Sequence, residues 1–325
     1  MEQRKVERLN RTISVVGLGT WQLGADWGNV DADTARAVLE AAVERGITFF
    51  DTADVYGDGR SELFCAALAG HGRELFVATK MGRRVEQIAE NYTLDNFLAW
   101  NDRSRSNLGV EQIDLVQLHC PPDPVYKSDA VFDALDEMVE SGRIRAYGVS
   151  VETCAQALRV IARPHVATVQ IILNCFRLKP LEEVLPAARA AGVGIIARVP
   201  LASGLLSGRY DERTVFAPSD HRTFNRQGES FDIGETFSGV PYEVGIAAAQ
   251  ELKALLDPGV SLAQFALRWV IDQAGVSTVI PGARNPEQVA QNANAASLAP
   301  LREDQLAGVM DVYDRLIRSH VDGRW

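Results

Sequence analysis

The stretch Asp31–Gly57, DADTARAVLEAAVERGITFFDTADVYG, decides the fold. Its first part opens on an Asp and sets Ala37, Val38, Ala41 and Ala42 at helical spacing, which predicts an amphipathic helix over Asp31–Arg45. A short apolar run follows, Ile47–Phe50, too short for a helix and rich in β-formers, which predicts a buried strand. That strand runs into a polar end, Asp51-Thr52-Ala53-Asp54-Val55-Tyr56-Gly57. A helix feeding a buried strand with polar residues at its C-terminal end is the unit from which α/β domains are built.

The same rhythm extends in both directions. Further strands are predicted at Ser14–Leu18, Leu75–Ala78, Ile113–Leu118, Ala146–Val149, Thr168–Ile171, Val193–Ala197 and Val276–Ile280. Helix patterns lie at Thr93–Leu108, Ser128–Ser141, Glu152–Ala162, Leu181–Ala191, Ser261–Gln273, Pro286–Ala295 and Arg302–Arg318. Strands that alternate with helices must run parallel, because each crossover returns the chain to the same end of the sheet. About eight such units suit a closed (β/α)8 TIM barrel better than a doubly wound sheet. The expectation is therefore one α/β domain over residues 1–325. One segment breaks the rhythm: 201–241 is rich in Gly and Pro and has no clean period. After a seventh barrel strand, such a loop is expected to act as a lid or substrate loop.

Composition narrows the function classes. A formal net charge of −10 repels phosphate backbones, so nucleic acid is not expected as a partner. Cys65, Cys120, Cys154 and Cys175 are scattered with no CxxC pair, as in a reduced, cytoplasmic protein. The opening MEQRKVERLN has no apolar core of a secretory signal, and no apolar run is long enough to span a bilayer. P-loop, HExxH and zinc spacings are absent, so no metal is expected. Val16-Gly17-Leu18-Gly19-Thr20-Trp21 begins like a dinucleotide fingerprint, but Gln22 stands where the third glycine belongs.

In a βα barrel the chemistry gathers at the C-terminal ends of the strands. Those ends carry Asp51 and Tyr56, then Thr79-Lys80, then His119, then Ser150, then Gln170. Each has a bland alternative: Asp51 as a cap, Lys80 as a surface charge, His119 as a satisfied core histidine, Tyr56 as a packed aromatic. Their occurrence on successive strands favours a joint role. A phenol of ordinary pKa near 10 is a weak acid at pH 7, and a cation beside it lowers that pKa. Lys80 supplies the cation, Asp51 holds Lys80, and His119 orients a carbonyl that Tyr56 protonates. No side chain donates hydride, so a reduced nicotinamide is required. A second cluster follows the last strand: Ile280-Pro281-Gly282-Ala283-Arg284, then Gln288 and Asn292 at four-residue spacing on one helix face. A helix N-terminus with a guanidinium there suits a phosphate.

DTADVYG, VATK, LVQLHCP, PLASGLLSGRY and IPGARNPEQVAQNANA, in that order along nearly the whole chain, resemble the aldo-keto reductase superfamily. Within it the chain is similar to the long bacterial-type group related to potassium-channel beta subunits. The resemblance implies a barrel closed at its bottom by an N-terminal hairpin, suited by Met1–Arg11, with an extra C-terminal helix. It implies a catalytic tetrad of Asp51, Tyr56, Lys80 and His119 and the reduction of a small-molecule aldehyde or ketone, sugar-like ones included, to an alcohol. It implies NADP(H), with contacts at Gly19, Thr20, Trp21, Asp51, Ser150, Gln170, Arg198, Pro200, Leu201, Gly204, Leu205, Gly282, Arg284, Gln288 and Asn292. The substrate pocket is expected from Trp27, Tyr56, His119 and Cys120. Val151 replaces an Asn common in the family, Leu173 replaces a Tyr, and Arg198 replaces an aromatic residue. The charge of Arg198 is expected to disfavour NADP+ relative to NADPH. Channel relatives imply a second reading, a nucleotide-binding redox sensor with little turnover.

Overall fold

The computed structural model describes residues 1–24, 30–70 and 74–325; Trp27 lies outside the described residues. Strands β1 (Gln3–Val6) and β2 (Arg11–Ser14) form an antiparallel hairpin with Gln3 opposite Ser14 and Val6 opposite Arg11. Eight parallel strands follow in spatial order of the chain. They are β3 (Leu18–Gly19), β4 (Phe49–Asp51), β5 (Phe76–Met81), β6 (Ile113–His119), β7 (Ile144–Ser150), β8 (Val166–Ile172), β9 (Gly194–Arg198) and β10 (Val276–Val279). The last strand returns to the first: Val279 donates to the Val15 carbonyl at 2.9 Å, Gly17 to Val279 at 2.8 Å and Gly19 to Pro281 at 3.1 Å. The sheet is thus a closed barrel without a free edge, as the sequence predicts.

Apolar residues separate into two cores. Val6 and Ile13 from the hairpin, with Phe49, Phe76, Ala78, Leu115, Ile196 and Ile280, fill the barrel interior from below. The larger core lies between the strands and the helices outside them. Helix Ala32–Glu44 is capped by Asp31, whose carboxylate accepts from the Thr34 amide at 2.7 Å. It buries Ala35, Val38, Leu39, Ala42 and Val43, a stripe shifted one position from the alanine-centred one read from sequence. Thr93 and Ser261 cap the helices Leu94–Leu108 and Leu262–Asp272 in the same way.

One strand boundary and two helices differ from expectation. Ser14 belongs to the hairpin, so the first barrel strand begins later than predicted. The helix Arg60–Cys65 opens on Gly59 with no side-chain cap, which removes its start signal. The helix Tyr242–Lys253 follows Pro241 and carries Gly245 and three alanines, which dilute its apolar period. At the C-terminus, Glu303–Val312 passes through a π-helical turn at Tyr313–Ile317 before Arg318–Val321. The segment 201–241 folds as short turns over the barrel mouth, among them Ala202–Ser207, His221–Phe224 and Ile233–Glu235.

Barrel closeness predicts one strict position. A Cβ on Gly148 of β7 would lie 2.1 Å from Thr168 Oγ1 and 2.8 Å from the Thr168 carbonyl oxygen on β8. Gly148→Ala is expected to lower stability by about 1–3 kcal/mol. A fall in the urea midpoint at unchanged slope checks this; an unchanged midpoint contradicts the packing described here.

Candidate active site

Strand register sets the site. Lys80 of β5 pairs in register with Gln117 of β6, and Asp51 ends β4 beside Ala78. One step higher, His119 pairs with Ser150 and Ser150 with Gln170, so three consecutive strands present polar side chains at one level. Lys80 and Asp51 are buried at 0% and 3% exposure and form an ion pair through Nζ and Oδ1. Lys80 Nζ also donates to the Thr52 carbonyl at 2.9 Å and to the Tyr56 hydroxyl at 3.3 Å. The second carboxylate oxygen of Asp51 accepts from Gln117 Nε2 at 3.1 Å and Gln170 Nε2 at 2.8 Å. Gln117 is absent from the sequence prediction, although its two-residue spacing from His119 along a strand puts both on one face.

The electrostatics differ from expectation at Tyr56. Burial pushes its pKa above the ordinary value; Lys80 pulls the other way but does not prevail, with Asp51 and Glu235 opposing it. The charge of Lys80 is already engaged by Asp51, so the phenol keeps its proton at neutral pH. Burial alone would lower the Lys80 pKa, yet Asp51 and Tyr56 hold the ammonium above its usual value. His119 is driven well below the usual imidazole range by burial, then by the charges of Arg83, Lys80 and Arg198. Its ring is therefore neutral, and Nδ1 has no partner among the described residues. The rings of Tyr56 and His119 meet edge to face with centroids 6.0 Å apart, and Trp21 stacks on Tyr56 at 5.9 Å.

These groups open into a cavity of about 430 Å³. Of the residues predicted from sequence, Gly19, Thr20, Trp21, Asp51, Tyr56, His119, Ser150, Gln170, Arg198, Pro200, Leu201, Gly204, Gly282, Arg284, Gln288 and Asn292 all reach its wall. Lys80 lies behind it. Leu205 turns into the apolar core, against Gly245, so its side chain offers no contact to a bound molecule. Cys120 is not part of the wall; its thiol donates to Ser150 Oγ at 3.4 Å and lies 3.6 Å from Arg198 Nη2. Ser203, Ser207, Arg209, Tyr210, Arg222 and Glu235 of the aperiodic segment also line it; that segment carries no periodic pattern from which to pick out the individual residues. At one end, the helix Pro286–Asn294 presents its N-terminus, and the guanidinium groups of Arg284 and Arg209 make no ion pair with any described residue.

Arg198 is not a free charge. It pairs with Glu235 at 3.3 Å and Glu152 at 4.0 Å, and donates to the Val151 carbonyl at 3.2 Å. Arg83 joins the same two carboxylates at 3.5 and 3.6 Å. The charge argument for disfavouring NADP+ therefore falls away. Val151 itself is core, its amide donating to the Gln170 carbonyl at 2.9 Å. Arg222 is likewise paired, with Asp220 at 2.6 Å. The chain turns sharply after Arg198: Val199 has φ 52°, rare for a β-branched residue, and its carbonyl is held by Asn174 Nδ2 at 2.8 Å.

A profile of the Aldo/keto reductase family matches residues 15–314. Aldo-keto reductase YhdN of Bacillus subtilis is 30% identical over 297 residues, covering 89% of this chain and 87% of its own. The solved structure of the glycerol dehydrogenase AKR11B4 from Gluconobacter oxydans superposes with a TM-score of 0.79 at 30% identity, covering 97% of this chain and 96% of its own. A probable voltage-gated potassium channel subunit beta of Oryza sativa is 26% identical over 98% of this chain and 97% of its own.

Asp54, on the loop between Asp51 and Tyr56, supplies a test of the local electrostatics. It is fully buried, neither carboxylate oxygen has a partner among the described residues, and burial with the nearby Glu62 raises its pKa to about 7. Because the folded pKa is raised from 3.8, the native state binds the proton more tightly between about pH 4 and 7. Stability from this group is thus full below that window and is lost as pH rises through 7. Asp54→Asn should match the native chain near pH 4 and exceed its stability by roughly 2–4 kcal/mol at pH 8.5. Denaturant unfolding at both pH values checks this, and a pH-independent difference contradicts it.

Proposed function

The chain belongs to the aldo/keto reductase family, and on that premise we propose that it is an NADP(H)-dependent oxidoreductase that reduces an aldehyde or ketone to an alcohol. The observation that supports this best is a protonated phenol and a neutral imidazole in one cavity, with a buried ammonium behind the phenol and, at the far end, guanidinium groups that make no ion pair with any described residue.

The cavity suits a dinucleotide. Gly19 and Gly282 lie in its wall, and a Cβ at either would strike Ile280 or Gln22, so the wall packs too closely there for any side chain. Arg284, Arg209 and the helix N-terminus would hold phosphates. Gln170 uses its amide hydrogens on Asp51 and Gln117, leaving its carbonyl oxygen to accept from a carboxamide, with Ser150 beside it. A reduced nicotinamide supplies the hydride. In the proposed reaction, the substrate oxygen lies between the Tyr56 hydroxyl and His119. Tyr56 gives its proton as negative charge builds there, and His119, neutral, orients the oxygen. Lys80 then faces the phenolate, and Asp51 keeps Lys80 in place. A Schiff base on Lys80 does not suit this site, because its amine is held as ammonium by Asp51.

Two substitutions test the assignment. Tyr56→Phe should reduce turnover of an activated aldehyde by about 10²–10⁴-fold while NADPH still binds, read by NADPH absorbance and by fluorescence titration. Full activity in this variant would refute the role of Tyr56. Arg284→Ala should weaken NADPH binding by about tenfold or more, with NADH little affected; equal losses for the two would remove the 2′-phosphate assignment.

A further inference from the structure

Above Tyr56 and His119 the cavity is walled by a second pair of charges. Arg198 closes β9 and is 7% exposed; Glu235 comes from the turn Ile233–Glu235 in the segment over the barrel mouth and is 8% exposed. Both line the cavity, and both act electrostatically on the tetrad: Arg198 on His119, Glu235 on Tyr56. Arg198 Nε has no hydrogen-bond partner among the described residues, and neither has Glu152 Oε2 behind it. Replacing a buried ion pair with apolar residues is often neutral or stabilising, so the pair is poorly explained by stability alone.

The cluster is built with care nonetheless. Arg83 and Arg198 face Glu152 and Glu235, two positive groups against two carboxylates. Glu235 is fixed through its own backbone, its carbonyl accepting from Ser203 Oγ at 2.9 Å. The turn that carries it packs on Trp325: a Cβ on Gly234 would lie 3.1 Å from that indole, whose Nε1 donates to Asp232 at 3.4 Å. Arg177 stacks on the same ring at 3.4 Å and donates to the Glu152 carbonyl. Cys120 Sγ, Glu152 and Glu235 stand close enough to share a cation, but the two guanidinium groups already occupy that role.

We infer that Arg198 and Glu235 form a hydroxyl-binding subsite that selects small, neutral hydroxylated carbonyl compounds over both their deoxy counterparts and their anionic esters. The inference rests on the carbonyl-reductase reading and names the substrate class of that site. A hydroxyl satisfies both members at once through a single atom, donating to the carboxylate and accepting from the guanidinium. An alkyl chain there would strip water from the pair and return no hydrogen bond, the asymmetry that lets polar sites reject deoxy analogues. A carboxylate or phosphate would meet Glu235 with Arg198 already committed.

The experiment measures kcat/KM for glyceraldehyde, propanal and glyceraldehyde 3-phosphate with NADPH, in the native chain and in Glu235→Gln and Glu235→Leu. Aldehyde hydration cancels when the glyceraldehyde-to-propanal ratio is compared between proteins. That ratio should fall at least tenfold in Glu235→Leu and less in Glu235→Gln, and the native chain should use the phosphate ester at least tenfold less well than glyceraldehyde. As a check independent of any variant, glycerol should compete against propanal at least tenfold more tightly than propan-1-ol. Turnover of propanal with an unchanged ratio in both variants, or a preference for the phosphate ester, overturns the subsite and leaves the reductase reading standing. Absence of Tyr56-dependent turnover with every carbonyl overturns both.

Discussion

The buried ion pair of Lys80 and Asp51 is the constraint on which the upper barrel depends. Two charges with almost no exposure are costly to desolvate, and their attraction offsets that cost only where the remaining hydrogen-bonding capacity is met. Here it is met from three neighbours: the Thr52 carbonyl takes one ammonium proton, and Gln117 and Gln170 donate to the free oxygen of Asp51. The pair therefore draws β4, β5, β6 and β8 to one centre. A parallel barrel is well suited to this, because its in-register rungs place side chains from different strands at matching heights. An open sheet would leave Asp51 and Gln170 on strands four positions apart with no reason to converge.

The polar interior is layered on an apolar one. Val6 and Ile13 of the hairpin seal the bottom, and Phe49, Phe76, Leu115 and Ile196 fill the lower barrel. Apolar side chains thus fill the space below the ion pair, and the cavity opens beside it at the mouth. There the Arg83, Arg198, Glu152 and Glu235 network forms a second polar level. Between the two levels lie Tyr56 and His119. Three cations reach His119, and their sum, added to burial, keeps its ring neutral.

Much of this was legible in the sequence. Helix and strand alternation fixed the barrel, because buried parallel strands need apolar runs and their crossovers need amphipathic ones. Asp51, Lys80, His119, Ser150 and Gln170 were legible because strand ends in a barrel converge whatever the connecting loops do. Leu201 and Gly204 aside, residues of the 201–241 segment were not. Glu235 comes to the cavity through turns at Ser203, Phe237 and Ser238, each with φ near +55°, and such turns leave no periodic trace. Arg198 was visible as a charge but not as a paired one, since its partners come from that segment and from the loop after β7. The sign of the Tyr56 shift was misjudged for a related reason: a neighbouring cation counts for less when a carboxylate already holds it.

That sign bears on which group carries the proton in the proposed reaction. A donor must be protonated at working pH and must become more comfortable without its proton as the reaction proceeds. His119 fails the first condition, because Arg83, Lys80 and Arg198 each oppose a charge on its ring. Tyr56 meets it with margin, burial holding its proton in place. It meets the second through Lys80, whose ammonium already donates to the phenol oxygen at 3.3 Å and is held charged by its pairing with Asp51. The phenolate left behind would complete a chain of alternating charge from Asp51 through Lys80 to Tyr56. The ion pair at the centre of the barrel thus does not make Tyr56 a strong acid in the resting site; it provides the charge that the phenolate meets once the proton has moved.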